Sequence, residues 1–328
     1  MIERKKSLKQ QFYDLPFVQK TIAWSKVYSP TGFSGMTIYE VVTFVIEEIQ
    51  KDSISTRANS IAFSLFMSIF PAIIFLFTLL PLFTIVQDYT AMLSDQLQGV
   101  IPQSAHDYIF SIITDITSIK RDGLLSLGAI LALFFSSNGM LTLMSGFDKA
   151  YHQTFKPRHW IKTRLIALAL TIVLSLLLIV SLIMMVVESK VIEYLKTELL
   201  IADSLLISVS IFNWLFAVFM VYTGISITYT YGPSMYRRIP FINVGSLLAT
   251  FLSLLTSLGF SYFINNFGRY NEIYGSIGAL IVMMVWIQFN CLILLIGFEL
   301  NASIAVHKTS RYLKKQKEMA KEKDVNLS

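Results

Sequence analysis

Charge is scarce in this chain: Asp, Glu, Lys and Arg make up 15% of its 328 residues, where a soluble globular chain is nearer ~25%. With a mean hydropathy of +0.61, that shortage excludes an ordinary soluble domain and points to a multi-span membrane protein. Cysteine is almost absent. Cys291 is alone and lies inside an apolar run, which excludes an intrachain disulfide and a cysteine-based metal cluster. The four histidines, His106, His152, His159 and His307, fall on separate loops and the tail without ligand spacing. Metal-dependent phosphodiester cleavage needs carboxylates or histidines converging on an ion, and a serine hydrolase needs a histidine near its nucleophile, so neither chemistry is supported. A His-Glu-x-x-His helix, a Gly-rich Lys phosphate loop and a nucleophile elbow are also missing. No secretory signal is read in the first sixty residues, so the first span itself is expected to direct insertion. The chain is therefore expected not to be an enzyme and to carry no cofactor.

What is present in abundance is long apolar runs. Residues 275–300 extend over about 39 Å as a helix at roughly 1.5 Å per residue, more than the ~30 Å hydrocarbon thickness. Further runs lie at 60–86, 123–146, 165–187, 205–228 and 241–264. The fold class expected is all-α, a polytopic membrane protein with six transmembrane helices. Amphipathic helices are expected in the N-terminal region, at 36–52, and in the first external segment, 87–122. Pro71 and Pro81 predict a kink or break in the first span. Three parts follow: a basic N-terminal region at 1–59, a six-helix domain at 60–302, and a lysine-rich tail at 303–328 that reads as helix or disorder.

Orientation follows from the basic residues. The two termini and the loops 147–164 and 229–240 together hold 22 Lys and Arg, and the three opposite segments hold five. The positive-inside rule makes the richer side cytoplasmic, with both termini inside. The net charge of +6 is thereby explained without nucleic acid.

Polar residues inside the spans are the candidate functional groups, because an amide or hydroxyl in hydrocarbon needs a partner. Ser136, Ser137 and Asn138 in span two, and Gln288 and Asn290 in span six, either line a substrate cavity or bond locally and between helices. Together with the small residues Gly245, Ala249 and Gly259, they predict that spans two, five and six form the interior while span three faces lipid. On the inner side Arg57, Arg158, Arg164, Arg237, Arg238 and Glu299 either gather an anionic head group or only fix topology. Glu299 is read either as a coupling group or as an interface carboxylate, paired with an arginine such as Arg57, Arg164 or Arg237. At the outer boundary Asn265, Asn266, Arg269 and Asn271 form an amide-rich turn suited to a phosphate or sugar head group.

The segment NNFGRYNEIYGSIGALIVMMVWIQFNCLILLIGFELNA at 265–302 resembles the terminal signature of the YihY/BrkB family of bacterial inner-membrane proteins, once labelled ribonuclease BN. Tyr274, Gly275, Ser276, Trp286, Gly297, Glu299, Leu300, Asn301 and Ala302 carry the likeness, with Phe298 where the family usually has Ala. It extends over about residues 35–305, through Arg57-Ala58, the polar patch of span two, and Tyr151 followed by Arg158 and Arg164. Asp148 stands where the family commonly has Asn. The resemblance implies a six-helix inner-membrane protein, with export or flipping of envelope lipids suggested for some members and the ribonuclease label regarded as a misassignment. The expectation is then a transporter or flippase of an anionic envelope lipid or lipid-linked precursor. The alternative is a non-transport membrane scaffold or envelope-integrity factor. Membrane lipids are the expected partners, with a homo-oligomer also open and nucleic acid not expected.

Overall fold

The computed structural model describes residues 16–30, 35, 37–51, 54–79, 122–148, 154–197, 203–266 and 268–327. Among these the chain forms eight helices: α1 (Pro16–Val27), α2 (Ile38–Lys51), α3 (Ile54–Leu79), α4 (Asp122–Phe147), α5 (Trp160–Thr197), α6 (Asp203–Tyr231), α7 (Val244–Asn266) and α8 (Gly268–Leu327). The last six are long and apolar enough to cross a bilayer. The all-α, six-span expectation describes the protein. The helix expected in the first external segment, and Pro81, lie outside the described residues.

Local chemistry sets several boundaries. The Thr37 N–H donates to Glu40 Oε2 at 2.8 Å and the Glu40 N–H donates to Thr37 Oγ1 at 3.2 Å, a reciprocal cap that starts α2. Asn243 caps α7 by accepting the Ser246 N–H at 2.7 Å. Helix α3 begins six residues before the apolar run, because Ile54 and Ala58 bury themselves and Arg57 finds a carboxylate. It continues unbroken through Pro71, so of the kink or break expected there the break does not occur. Helix α8 does not stop at the membrane boundary. It runs for 60 residues to Leu327, roughly 90 Å at 1.5 Å per residue, so the tail is helix.

The six long helices pack in chain order, α3 on α4, α4 on α5 and so on to α8, which closes back onto α3. Helix α2 leans on α8 and α1 on α2. Half of the α4 span is buried, against 28% for α3 and α8 and 17% for each of α5, α6 and α7. The interior therefore centres on spans one, two and six, whereas span five is no more enclosed than span three. Span one, outside the expected interior of spans two, five and six, enters it through a small, buried edge of Ala58, Ala62 and Ser68. Helix α4 receives that edge at Gly139, where an added Cβ would stand 2.8 Å from the Leu65 side chain and 3.2 Å from its Cα.

The ends of the helices that carry the basic loops, hereafter the basic end, are sealed. Phe147, Tyr229 and Phe298 are wholly buried, with ring centroids 4.6–6.0 Å apart. Over them, residues 154–156 and 234–236 form one antiparallel bridge, the Lys156 N–H donating to Ser234 O at 2.9 Å and the Tyr236 N–H to Thr154 O at 3.0 Å.

Helices α7 and α8 touch backbone to backbone at the same end. A Cβ on Gly245 would lie 2.1 Å from the Gly297 carbonyl oxygen, whereas one on Gly259, farther along α7, would meet nothing within 4 Å among the described residues. Gly245→Ala is expected to lower the melting temperature of the detergent-solubilised protein sharply, since neither backbone can yield without separating the helices; overpacking of even flexible side chains costs about 1–3 kcal/mol. Gly259→Ala is expected to be neutral or to stabilise by up to ~1 kcal/mol through helix propensity. Equal melting temperatures for the two variants would contradict the close approach.

Candidate functional site

A largely apolar groove with three polar side chains, Ser64, Ser68 and Asn138, lies between α3 and α4. It has a volume of about 320 Å³ and is lined by Phe63, Ser64, Met67, Ser68, Pro71, Phe135 and Asn138. Pro71 has no N–H, so the carbonyl of Met67, four residues earlier, lacks its helical donor and is available at the groove. The Ser68 hydroxyl donates to Ser64 O at 2.7 Å. Asn138 stands midway along the second span, which covers Gly128–Phe147.

Asn138 is also held from α5. One Arg164 amino group donates to Asn138 Oδ1 at 2.7 Å and the other to Phe134 O at 2.5 Å, while the guanidinium lies 3.7 Å from the centroid of the Phe134 ring. The orientation of the amide follows: its oxygen is committed to Arg164, which leaves the Nδ2 donors for the groove. Arg164 Nε is buried without a hydrogen-bond partner among the described residues. A cation one turn inside the start of α5 thus rests on an amide, a carbonyl and a ring, a depth that a long arginine side chain reaches from the basic end by snorkelling.

A second polar cluster stitches the basic end. Arg57 donates from both amino groups to Glu299 Oε1 at 3.3 Å, and from one of them also to the Gly146 carbonyl. Glu299 is 1% exposed. Asn301 accepts the Gly245 N–H at 3.0 Å and donates to Asn243 Oδ1 at 2.7 Å. In the loops, Arg158 donates to the carbonyls of Gly232 at 3.0 Å and Pro233 at 2.6 Å, and the Ser234 N–H donates to Asp148 Oδ1 at 3.1 Å. Crowding by the surrounding protein raises the Asp148 carboxyl above its ordinary range, an effect that the Ser234 N–H and the Arg158 charge only partly oppose. Burial likewise lowers Arg158, against the pull of Asp148.

The sequence candidates are distributed, not gathered. Asn138 and Arg164 meet at the groove. Ser136 and Ser137 are buried and donate to the carbonyls of Leu133 and Phe134 on their own helix. Gln288 joins α8 to α3 by donating to Asn59 Oδ1 at 2.7 Å, and Asn290 bonds Trp286 O of its own helix at 2.9 Å. Arg57 and Glu299 form the ion pair. Arg237 and Arg238 are exposed and lie over the rings of Tyr312 and Tyr231, at 5.3 and 4.8 Å from the centroids. The side chains of Asn265, Asn266, Arg269 and Asn271 fall outside the described residues. Sequence reasoning missed Ser64 and Ser68, although their spacing with Pro71 is a helical stripe, and Asn243, whose position after Pro240 marks a helix start.

The profile of the virulence factor BrkB family matches residues 45–322 of the chain. The ribonuclease-like protein YfkH of Bacillus subtilis is 29% identical over 258 residues, 77% of this chain and 90% of that protein. A UPF0761 membrane protein of Psychromonas ingrahamii is 24% identical over 285 residues, 85% of this chain and 91% of its own length. A UPF0761 membrane protein of Tolumonas auensis is 32% identical over a shorter stretch of 94 residues, 29% of this chain and 31% of its own. No solved structure matches the chain.

Two expectations follow from the basic end. Removing one member of the buried pair strands the other, so Arg57→Met or Glu299→Leu alone should destabilise the protein by about 3–5 kcal/mol, and the double replacement should recover most of that; additive losses in thermal melts would refute the coupling. For Asp148, a raised carboxyl favours the protonated form in the folded protein. Its stabilising contribution is complete below the ordinary carboxylate value of ~3.9 and is lost as pH rises through the raised value. Asp148→Asn keeps an acceptor for Ser234, so it should be at least as stable as wild type at neutral pH, with the two converging on acidification. A less stable variant at neutral pH with an unchanged pH slope would contradict this.

Proposed function

The chain belongs to the virulence factor BrkB family, and from that membership together with the groove between α3 and α4 we propose that it accommodates and moves an amphipathic anionic substrate, an envelope lipid or lipid-linked precursor. The observation that carries the reading is the Arg164-held amide of Asn138 at mid-span. The Nδ2 donors on one side and a guanidinium behind them suit a phosphate, and Ser64, Ser68 and the Met67 carbonyl can bond hydroxyls or amides beside it. A volume of about 320 Å³ matches a head group, with the acyl chains left in the bilayer. The reading is non-enzymatic. It places the protein in the bacterial inner membrane with the basic end and both termini in the cytoplasm, by the positive-inside rule. The sealed basic end then corresponds to a state closed toward the cytoplasm, in which the head group is reached laterally or from the far side.

A second reading, a scaffold or envelope-integrity factor without transport, is favoured by that same sealed end, where aromatic rings, an ion pair and paired loops form a well-bonded plug. The two readings separate in liposomes carrying labelled phospholipids and lipid-linked sugars. For a transporter, wild type should translocate anionic lipids faster than protein-free vesicles, and Arg164→Gln and Asn138→Ala should slow this at least ~10-fold, the effect of losing one charge-assisted contact of about 1.5–3 kcal/mol. Wild-type rates in both variants would remove the groove from the reading. No protein-dependent translocation by folded, inserted protein would favour the scaffold.

A further inference from the structure

Helix α1 has two unlike sides. Val18, Ile22 and Ser25 are half-buried, whereas Phe17, Thr21, Trp24 and Tyr28 recur at helical spacing on the adjoining face and are exposed. None of the α1 residues is fully buried, and Phe17 keeps 80% of its surface and Trp24 54%. The Trp24 and Tyr28 rings stack with centroids 4.9 Å apart, so the stripe is an ordered surface. Within α1 the charged residues are Lys20 and Lys26, with no acidic residue; the Lys26 ammonium also lies over the Tyr39 ring of α2, 4.8 Å from its centroid.

The level of this stripe is fixed by α2, against which α1 packs. Val41 of α2 is buried on Leu300, with Val244, Leu248 and Ile304 around them. Val244 and Leu248 belong to the first turns of a membrane span, so the α1–α2 pair lies at the bilayer boundary. Trp160, the first residue of α5, is exposed at the same end, as expected of an interfacial aromatic belt.

We propose that α1 is an interfacial membrane helix at the basic end, with the Phe17, Trp24 and Tyr28 stripe seated at the boundary of head groups and acyl chains and with Lys20 and Lys26 on anionic phospholipid heads. Aromatic side chains with flanking lysines and no acid are the chemistry that seats a helix in an anionic leaflet. The contact is independent of whether the groove moves a lipid.

The test uses the full-length protein with Trp160, Trp214 and Trp286 replaced by Phe, so that Trp24 is the sole indole, in vesicles whose phosphatidylcholine is brominated near the top of the acyl chain. Trp24 emission should be blue-shifted and quenched about twofold when phosphatidylglycerol is included, as for a ring held at the acyl boundary, and Lys20→Glu, and to a lesser degree Lys20→Ala, should reduce the quenching while leaving the Lys26 contact with Tyr39 in place. The difference spectrum between wild type and Trp24→Phe gives the same reading without the three Phe replacements. Water-like, unquenched Trp24 emission in both lipid mixtures would overturn the proposal, as would a shift that depends on protein concentration and not on bromine, which would assign the stripe to a second copy of the chain. Quenching indifferent to phosphatidylglycerol and to the lysine replacements would overturn the anionic-lipid part.

Discussion

The contact between Arg57 and Glu299 ties the first span to the last, and through the Gly146 carbonyl it reaches the second. Neither charge has a comfortable place alone: removing a partner from a buried pair leaves an ion that the interior cannot solvate. The three most enclosed spans are the three that this contact joins. Around it, the remaining contacts need no strong chemistry, only shape. Glycines admit backbone or side chain at Gly139, Gly245 and Gly297, and the Phe147, Tyr229 and Phe298 rings fill what is left.

Polar groups gather at two places, the basic end and the groove. At the basic end most buried polar groups are answered: Asn301 by Asn243 and the Gly245 N–H, Arg158 by two carbonyls, and the Tyr229 hydroxyl by Leu294 O at 2.6 Å, while Ser246 Oγ is buried there without a partner among the described residues. At the groove, Arg164 Nε is without a partner among the described residues, Asn138 accepts from Arg164 through its oxygen, and Pro71 offers no N–H to the carbonyl of Met67. A polar ligand that completes such a network gains by doing so.

Most of the architecture was legible because hydrocarbon imposes it: length and hydropathy define six spans, and hydropathy runs are long enough to average out local detail. Boundaries were less legible. Six residues ahead of the first apolar run, four of them polar and Arg57 among these, look like a loop until its partner 242 positions away is in view. The pairing of Arg57 with Glu299 was within reach as one of three alternatives, since arginines and the single carboxylate at that helix end had to meet something. What composition could not supply is which of the mid-span amides would face a groove. Asn138 and the pair Ser136 and Ser137 are neighbours in sequence, yet a turn of about 100° per residue sends the hydroxyls into packing and the amide to the wall.

The span of 242 positions between Arg57 and Glu299 also sets an order of events during biosynthesis. Because the helices neighbour one another in chain order, each can settle against the one made just before it, and the bundle grows as an open arc. Its closing contact waits for the final helix. At translation rates of about 5–20 residues per second, Arg57 stands on the nascent arc for roughly 12–50 s before its carboxylate is made. During that interval the arginine can already meet the Gly146 carbonyl of the second span, made 89 positions after it, so the first two spans can be joined at this point before the last one arrives to supply the charge.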